Sequence, residues 1–487
     1  MLLGRQTSKK PNAKKVGPLR TVKKEIPPAA GKEIGRFLSC EEYHGGILEA
    51  LRRADLHVYE LLRREYERLL NTIQLIAAEN QCSRAVLAAL GSVVQNKTTE
   101  GFVGGRYHGG CGVVDEIEAL AAERAKEAFG AEYANVQPHS GTAANQIVLA
   151  AVLERGEKIL SLGIDQGGHL SHGAKASFSG KFFEVEHYYV DRETFLLDYE
   201  AIRAKALAVR PKLIICGASA YSRQIDFAKF RAIADEVGAY LLADISHIAG
   251  LVIAGVHPSP IDYAHFTTTS TYKPGGPRGG LILMGRDFDR RVTLAGGAAP
   301  LWEHVQRMTF PGVQGTPYLN NIAAKAVFFK ETLGEEYRAR QHRIISNARK
   351  LAAALMDMGH DVLTGGTDNH MVLVNVSSLR DGLSGAAAQK ALEQCGIIVN
   401  MNRLPYDRRS AAVTSGLRLG TPVVTKNGMG QEEMGRISVL VDRVLRGIEP
   451  TTGQAGYRMD EDLRDEVRAE VVRLSRRFPV SSSAEGC

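Results

Sequence analysis

Short apolar segments alternate with helical stretches across residues 133–284, and this alternation constrains the fold more than any other feature of the sequence. Strands are predicted at residues 133–137, 158–163, 212–217, 239–244, 265–270 and 279–284. Strands that alternate with helices form a mostly parallel sheet with helices packed on its faces. The sequence therefore predicts an α/β fold, with a large domain built on a mostly parallel sheet and a smaller C-terminal α+β domain.

The chain has 487 residues and 44% hydrophobic content, which is enough for both domains. The predicted layout is a disordered basic tail at 1–38, a helical arm at 39–70, the large domain at 71–325, the small domain at 326–450, and a helical segment with a tail at 451–487. Within the small domain, short strands are expected near residues 371–376 and 396–401, and terminal helices from residue 430. Five apolar residues of the arm recur at helical spacing and are expected to pack on the body or on a second subunit: Leu48, Leu51, Leu56, Tyr59 and Leu62.

The positive charge of the chain is concentrated at its start. Residues 1–36 hold ten Lys or Arg and two acidic residues, a charge of +8, which leaves −1 for the rest of a chain whose net charge is +7. The body therefore gives no sign of a nucleic-acid-binding face, and nucleic acid is an expected partner only through the tail. A solvated tail without a partner is the favoured interpretation.

The six cysteines, at positions 40, 82, 111, 216, 395 and 487, show no Cys-x-x-Cys pair and no metal-ligand spacing. They are predicted to be free thiols in a reducing compartment, which indicates a cytoplasmic protein without a metal site. No apolar segment has the length of a transmembrane helix, so no membrane contact is expected.

One lysine, Lys273, stands between a series of small hydroxyl residues and a glycine-rich turn within residues 267–280. A lysine amine becomes a useful nucleophile when its surroundings lower its pKa, and pyridoxal phosphate (PLP) is an aldehyde cofactor that bonds to such a lysine. Lys273 is therefore the candidate cofactor anchor. The alternative is an ordinary solvated lysine, which is the commoner case for a lysine considered alone.

A candidate phosphate site precedes the helix that follows the first predicted strand. Ser140, Gly141 and Thr142 stand between that strand and an apolar helix. Backbone N–H groups and hydroxyls at a helix N-terminus bind phosphate. An ordinary helix cap explains the same pattern equally well.

Two further segments carry groups suited to a pyridine ring. Asp244 ends a predicted apolar strand, with His247 just beyond it, and α/β sheets bind ligands at the carboxyl ends of their strands. A carboxylate paired with the ring nitrogen would keep that nitrogen protonated. His169 follows two glycines that allow close backbone approach, and its flat ring is suited to stacking. A helix-capping aspartate and a structural histidine are the alternatives.

These segments, in this order along one chain, resemble the serine hydroxymethyltransferase (glycine hydroxymethyltransferase) family over about residues 57–447. The resemblance rests on Leu-Ile-Ala-Ala-Glu-Asn at 75–80, the glycine-rich segment 100–115, Gln-Pro-His-Ser-Gly at 137–141, Gly-Gly-Thr-Asp-Asn-His at 365–370 and Thr-Ser-Gly-Leu-Arg-Leu-Gly-Thr-Pro at 414–422. It implies the fold type I architecture of PLP-dependent transferases.

The resemblance also implies roles for individual residues. Catalytic roles would belong to Lys273, Glu100, His169, Asp244 and Tyr107. Cofactor binding would belong to Ser140, Gly141, Thr142, His169, Ser219, Asp244, His247, Lys273 and Gly315. Substrate binding would belong to Arg418, Glu100, Asn402, Leu170 and Tyr107, with Arg418 on the amino-acid carboxylate and Asn402 and Leu170 at the pteridine.

The implied reaction interconverts L-serine and glycine by a retro-aldol cleavage at the α-carbon, with tetrahydrofolate as the one-carbon carrier. The implied assembly is a homodimer or a dimer of dimers. In it Glu100, Tyr107 and the loop at residues 310–315 would be supplied across the subunit interface.

Five positions depart from the pattern usual in the family: Thr98, His108 and Ala78 replace Tyr, Tyr and Ser, Tyr272 replaces His, and Thr316 replaces Gly. Sequence drift within an ordinary serine hydroxymethyltransferase is the favoured explanation. The alternative is a specialised member that acts as a 2-methylserine hydroxymethyltransferase or as a threonine aldolase or transaldolase. A relative that binds PLP without turnover is a third possibility.

Overall fold

The computed structural model describes residues 44–451, 453 and 455–480. Contacts between residues divide the chain into one unit of residues 1–46, of which only 44–46 are described, and a compact unit of residues 47–487. The predicted basic tail at 1–38 and the first residues of the predicted arm lie outside the described residues.

Seven strands form the large sheet. They are β1 (Tyr133–Asn135), β2 (Lys158–Leu162), β3 (Glu184–Tyr188), β4 (Leu213–Cys216), β5 (Tyr240–Asp244), β6 (Phe266–Ser270) and β7 (Gly280–Met284), in the order β1-β7-β6-β5-β4-β2-β3. The neighbours in the series β3-β2-β4-β5-β6 pair in parallel. Strand β7 is antiparallel to both of its neighbours, β1 and β6. The predicted α/β fold with a mostly parallel sheet is confirmed.

The helices of the described residues are α1 (Ile47–Ala54), α2 (Leu56–Leu70), α3 (Arg84–Leu90), α4 (Gly112–Phe129), α5 (Gly141–Val152), α6 (Phe178–Phe182), α7 (Tyr199–Val209), α8 (Phe227–Val237), α9 (Ala249–Ile253), α10 (Leu301–Arg307), α11 (Leu319–Thr332), α12 (Glu335–Asp357), α13 (Gly385–Gln394), α14 (Pro422–Lys426), α15 (Gln431–Gly447) and α16 (Glu461–Arg477). None is long and apolar enough to cross a membrane, as far as the described part of the chain extends.

The central strands are buried because helices cover both faces of the sheet. Every residue of β4, β6 and β7 is buried, as expected for the almost continuous apolar sequence of β4 and β7. β6 differs, since it carries three threonines and a serine into the interior. Of these four residues, Ser270 lines the candidate site described below.

A second sheet lies in the C-terminal part of the chain. It contains β8 (Asp361–Val362), β9 (Met371–Asn375), β10 (Asn400–Asn402) and β11 (Gly416–Gly420), in the antiparallel order β8-β9-β11-β10. Its own hydrophobic core includes Leu351, Leu392, Leu417 and Ile437. Helix α11 spans residues 325 and 326, where the sequence places the boundary between the two domains, and that boundary stays a prediction.

The predicted arm is helical where it is described, as α1 and α2. Three of its apolar residues expose half or more of their surface: Leu48 (64%), Leu56 (58%) and Leu62 (51%). Their packing against a second subunit stays a prediction.

Candidate active site

Loops at the carboxyl edge of the large sheet enclose a cavity of about 210 Å³. These loops follow β1, β2, β4, β5 and β6. They lie together because parallel strands bring their carboxyl ends to the same edge of a sheet. Eight of the predicted cofactor-binding residues line the cavity: Ser140, Gly141, Thr142, His169, Ser219, Asp244, His247 and Lys273. The remaining one, Gly315, does not line it.

Asp244 ends β5, and four donors surround its carboxylate. Oδ2 accepts from Asn145 Nδ2 (2.8 Å) and His172 Nε2 (2.9 Å), and Oδ1 accepts from the backbone N (3.0 Å) and Oγ (2.6 Å) of Ser246. Burial alone would raise the pKa of Asp244, but His172, the charge of His169 and the Ser246 hydroxyl lower it below its usual range. The carboxylate is therefore an ionised acceptor, and His172 carries its proton on Nε2.

The His169 ring is held on the cavity wall by Ser171. His169 Nδ1 accepts from the Ser171 backbone N (3.2 Å) and lies 2.8 Å from Ser171 Oγ, which itself accepts from Asn145 Nδ2 (2.9 Å). Burial lowers the pKa of His169 to about 4. The ring is thus neutral and fixed in place, as stacking on a flat ligand requires.

Lys273 lies three residues beyond β6, and Asn80 Nδ2 donates to its backbone oxygen (3.0 Å). Burial lowers the pKa of Lys273 from 10.5 to about 8; Asp244 opposes this shift, and Arg418 and Arg278 add to it. Its Nζ lies 5.4 Å from the centre of the Tyr272 ring, and Arg278 Cζ lies 4.5 Å from the same centre. At neutral pH a lowered pKa leaves more of the free amine, which is the nucleophilic form.

The N-terminus of α5 forms another part of the cavity wall. Ser140 caps the helix by accepting from the Ala143 backbone N (3.0 Å). Gly141 approaches β6 closely, since a Cβ added to Gly141 would lie 3.2 Å from the Ser270 backbone N. The buried Ser270 hydroxyl lines the cavity and has no hydrogen-bond partner among the described residues. An unpaired hydroxyl beside a helix N-terminus fits a phosphate group.

Arg418 reaches the large-sheet loops from the centre of β11. Its Nη1 donates to the Ser219 backbone oxygen, and its Nε donates to Asn400 Oδ1 (3.2 Å). Burial lowers its pKa to about 10, so it remains a cation at neutral pH. Near it His247 stacks on His370 at 5.6 Å between ring centres, and burial together with the nearby cations lowers the pKa of both rings. Because Arg418 keeps its charge while these two rings do not carry one, Arg418 is the cation here that is suited to a carboxylate.

Glu100 is not among the described residues that line this cavity. It precedes a hairpin in which the strand Gly101–Phe102 pairs with the strand Gly105–Arg106. The Arg106 side chain holds the hairpin together: it donates to the Gly101 oxygen (2.6 Å) and forms ion pairs with Asp115 (2.8 Å) and Glu118 (2.6 Å).

Two predicted site residues accompany Glu100. A Cβ added to Gly315 would lie 3.9 Å from Glu100 Oε1, and the Tyr107 backbone N donates to the Glu100 oxygen (3.0 Å). Tyr107 is 77% exposed, with its ring 5.5 Å from that of Phe310. These groups form a second cluster, and none of them lines the cavity of Lys273.

The residues predicted to line a pteridine pocket are less confined. Leu170, next to His169, is 58% exposed. Asn402 is half-buried at the end of β10, and its side-chain amide donates to the Arg403 oxygen (2.7 Å). Neither lines the cavity of Lys273, as far as the described residues show.

Five residues that bond to Asp244 or line the cavity were not predicted from the sequence: Asn145, His172, Ser246, Ser270 and Arg278. His172 is the second histidine of the segment that carries His169, and Ser270 precedes Lys273 by three residues, so both had a sequence signal. Asn145 had none, because an asparagine inside an apolar helix shows its partner only in three dimensions. His169, His172 and Asp244 also offer three ligand atoms close enough for a metal ion, but His172 Nε2 is already bonded to Asp244.

Comparison with known families agrees with this geometry. A family model described as serine hydroxymethyltransferase matches residues 51–441 of the chain, and this range includes every residue of the cavity. The residues present fit PLP: an amine of lowered pKa, a buried carboxylate for the ring nitrogen, and a helix N-terminus with an unpaired hydroxyl for the phosphate. The chain therefore belongs to the serine hydroxymethyltransferase family, whose members are PLP-dependent transferases of fold type I.

Proposed function

We propose that this enzyme transfers a hydroxymethyl group between L-serine and tetrahydrofolate, with glycine as the other product. The observation that carries the proposal is the single cavity in which Lys273, Asp244 and the N-terminus of α5 converge, with Arg418 acting on the pKa of Lys273. PLP, when bound, supplies a protonated ring that withdraws electrons from the α-carbon of an amino acid.

The eight predicted cofactor-binding residues that line the cavity have proposed tasks. Lys273 anchors the cofactor aldehyde through its amine, and Asp244 keeps the ring nitrogen protonated. His169 stacks on the ring, and Ser219 and His247 lie near the ring hydroxyl. The phosphate binds at Ser140, Gly141 and Thr142.

Arg418 is the proposed clamp for the substrate carboxylate. Arg418 is half-buried, and its guanidinium is held at Nε and Nη1, so its orientation is fixed before a substrate arrives. A planar guanidinium binds a carboxylate through two parallel hydrogen bonds. The substrate is therefore held by its carboxylate with its α-carbon toward the cofactor.

The second cluster is proposed to serve the cavity of another subunit. Glu100 would exchange a proton with the substrate hydroxyl and the folate, and Tyr107 and Gly315 lie beside it. The exposure of Tyr107 in a single chain is consistent with a partner surface, and a homodimer or a dimer of dimers would supply it. Leu170 and Asn402 are proposed to contact the pteridine.

A product assay tests the reaction. The purified, PLP-loaded protein is incubated with L-serine, with and without tetrahydrofolate, and glycine is measured. Glycine that depends on folate supports the proposal. No glycine from a protein that has bound its cofactor would refute it.

The role of Glu100 has its own test. Glu100→Gln removes the titratable group and keeps the size of the side chain, so turnover of serine with folate is expected to fall far more than PLP affinity. Equal loss of both would contradict the assignment of Glu100 to proton transfer.

One observation favours a second candidate, a specialised member that acts on 2-methylserine or threonine. Tyr272 replaces the usual histidine, and it lines the cavity beside Lys273. A wall changed at this position suits a substrate with a different substituent on its α- or β-carbon. Glycine formed from threonine, or alanine formed from 2-methylserine, faster than glycine from serine would establish it.

A PLP-binding relative without turnover remains a third reading, and Lys273→Ala separates it from the enzyme. Loss of the biological effect in a Lys273→Ala protein that still binds PLP supports catalysis. Full retention of the effect supports a role in binding alone.

A further inference from the structure

Lys325 of α11 is a buried cation that the proposed reaction does not use. Its side chain is 1% exposed, and its ammonium donates to three backbone oxygens: Val136 (2.6 Å), Gly280 (2.7 Å) and Pro138 (3.4 Å). The buried carboxylate of Glu118 acts on its pKa but is bonded to Arg106 and Gln137 instead. The ammonium is therefore satisfied by main-chain oxygens, not by an ion pair.

The three oxygens belong to the two segments that lead into the cofactor cavity. Residues 136–139 connect β1 to Ser140, the cap of α5, and Gly280 begins β7 just after the loop of Lys273. The pairing of β1 with β7 ends at Asn135 and Ile282. Lys325 joins the two segments where this ladder of hydrogen bonds stops.

The chain leaves room for this arrangement with two glycines. A Cβ added to Gly279 would lie 2.5 Å from Lys325 Cε, and one added to Gly280 would lie 2.1 Å from the Ser140 backbone oxygen. The Gly280 backbone N also donates to the Pro138 oxygen (2.8 Å). Neither position accepts a larger residue without moving the lysine or the turn.

Burying an amine costs free energy unless hydrogen bonds compensate it, and burial lowers the pKa of Lys325 to about 7. An apolar side chain of the same length would avoid that cost but would remove the lysine's hydrogen bonds to the Val136 and Gly280 oxygens, while the Pro138 oxygen would keep the Gly280 backbone N as a donor. Displacement of the turn would then move the N-terminus of α5 relative to Ser270, which Gly141 contacts closely.

We propose that Lys325 is a positioning residue for the phosphate end of the cofactor site. Its ammonium fixes the turn of residues 136–140 against the start of β7, and so holds the N-terminus of α5 in the geometry that binds the phosphate. The inference rests on the assignment of PLP to this cavity and adds a residue that touches neither cofactor nor substrate.

The test compares PLP with pyridoxal, which has the same ring and aldehyde but no phosphate. Dissociation constants of the apoprotein for both are measured by absorbance titration in wild type and in Lys325→Met. The preference for PLP over pyridoxal is expected to fall about tenfold or more, the effect of losing one hydrogen bond to a charged group, while pyridoxal affinity changes little.

Two variants of the same helix are the controls. Lys330→Met makes the same change at an exposed position, and Phe329→Leu weakens the buried core without touching the turn. Both are expected to keep the wild-type preference, although Phe329→Leu lowers the melting temperature. A purely structural role for Lys325 would make Lys325→Met behave like Phe329→Leu, and this result would overturn the proposal.

Gly279→Ala provides a second test if Lys325→Met fails to fold. It displaces the ammonium without removing it, so the same loss of phosphate preference is expected. An unchanged preference in a folded Gly279→Ala protein would refute the inference. A wild-type protein that binds PLP no better than pyridoxal would refute both this inference and the cofactor assignment. If the wild type prefers PLP and the variants keep that preference, only the role of Lys325 is refuted and the cofactor assignment stays intact.

Discussion

The lowered pKa of Lys273 predicts how fast the apoprotein captures its cofactor at each pH. Burial lowers that pKa from 10.5 to about 8. At pH 7 a group with a pKa of 8 is about 9% free amine, whereas an ordinary lysine is about 0.03% free amine, a gain of roughly 300-fold in the reactive form. Because only the free amine attacks an aldehyde, the capture rate should rise with pH and level off above about pH 8.

The assay mixes apoprotein with PLP in a stopped-flow spectrometer between about pH 6 and 10. Hexylamine, an amine of ordinary pKa, is measured under the same conditions to correct for the ionisation of PLP itself. The ratio of the protein rate to the hexylamine rate should be highest at low pH and should fall above pH 8, where Lys273 gains no more free amine. A ratio that stays constant from pH 7 to 10 would refute the reasoning.

Two variants test the causes of the shift in opposite directions. Arg418→Met removes a cation that lowers the pKa of Lys273, so the plateau should move to higher pH. Asp244→Asn removes the carboxylate that raises this pKa, so the plateau should move to lower pH. Burial is the largest cause, and both shifts should therefore be smaller than the difference between Lys273 and hexylamine.

Three further predictions follow from the contacts of the cavity. Both oxygens of the Asp244 carboxylate accept hydrogen bonds, and Asp244→Asn replaces one of these oxygens with an amide donor. The change should lower the free energy of unfolding of the apoprotein by about 1–3 kcal/mol, measured by urea titration. An unchanged midpoint would contradict this prediction. Gly280→Ala brings a Cβ to 2.1 Å from the Ser140 oxygen and should lower both melting temperature and PLP affinity, whereas Gly435→Ala, with nothing within 4 Å, should lower neither. Arg418→Lys should raise the KM for the amino acid about tenfold or more with a smaller change in kcat, because a lysine cannot replace a bidentate guanidinium; equal effects on both in steady-state kinetics would argue against the carboxylate role.

Five of the six predicted strands of the large sheet are largely buried, and the sixth, β1, is an edge strand of which only Asn135 is buried. All six predicted strands are present, with ends within two residues of the prediction. The missed strand, β3, lies at the edge of the sheet, where Glu184 and Glu186 point away from the core. An edge strand needs no continuous apolar sequence, so its signal is weak.

The small sheet was harder to predict for a related reason. β11 contains two glycines and Arg418 within five residues, a composition unfavourable for a strand. It forms because β9 and β10 pair with it on both sides. The strand that carries the proposed substrate clamp therefore depends on its neighbours, not on its own sequence.

The sequence by itself determined the α/β class, the family, and the candidate residues that follow strands, such as Lys273 and Asp244. These signals are local, because burial gives a strand its apolar pattern and chemistry requires particular residues after it. Only the tertiary structure decided which distant groups act together. Asn145 bonds to Asp244 across 99 residues, and Lys325 joins the segments at Val136 and Gly280. Glu100 is not among the residues that line the cavity of its own chain. Such contacts depend on how helices and loops pack against the sheet, and no local pattern records that packing.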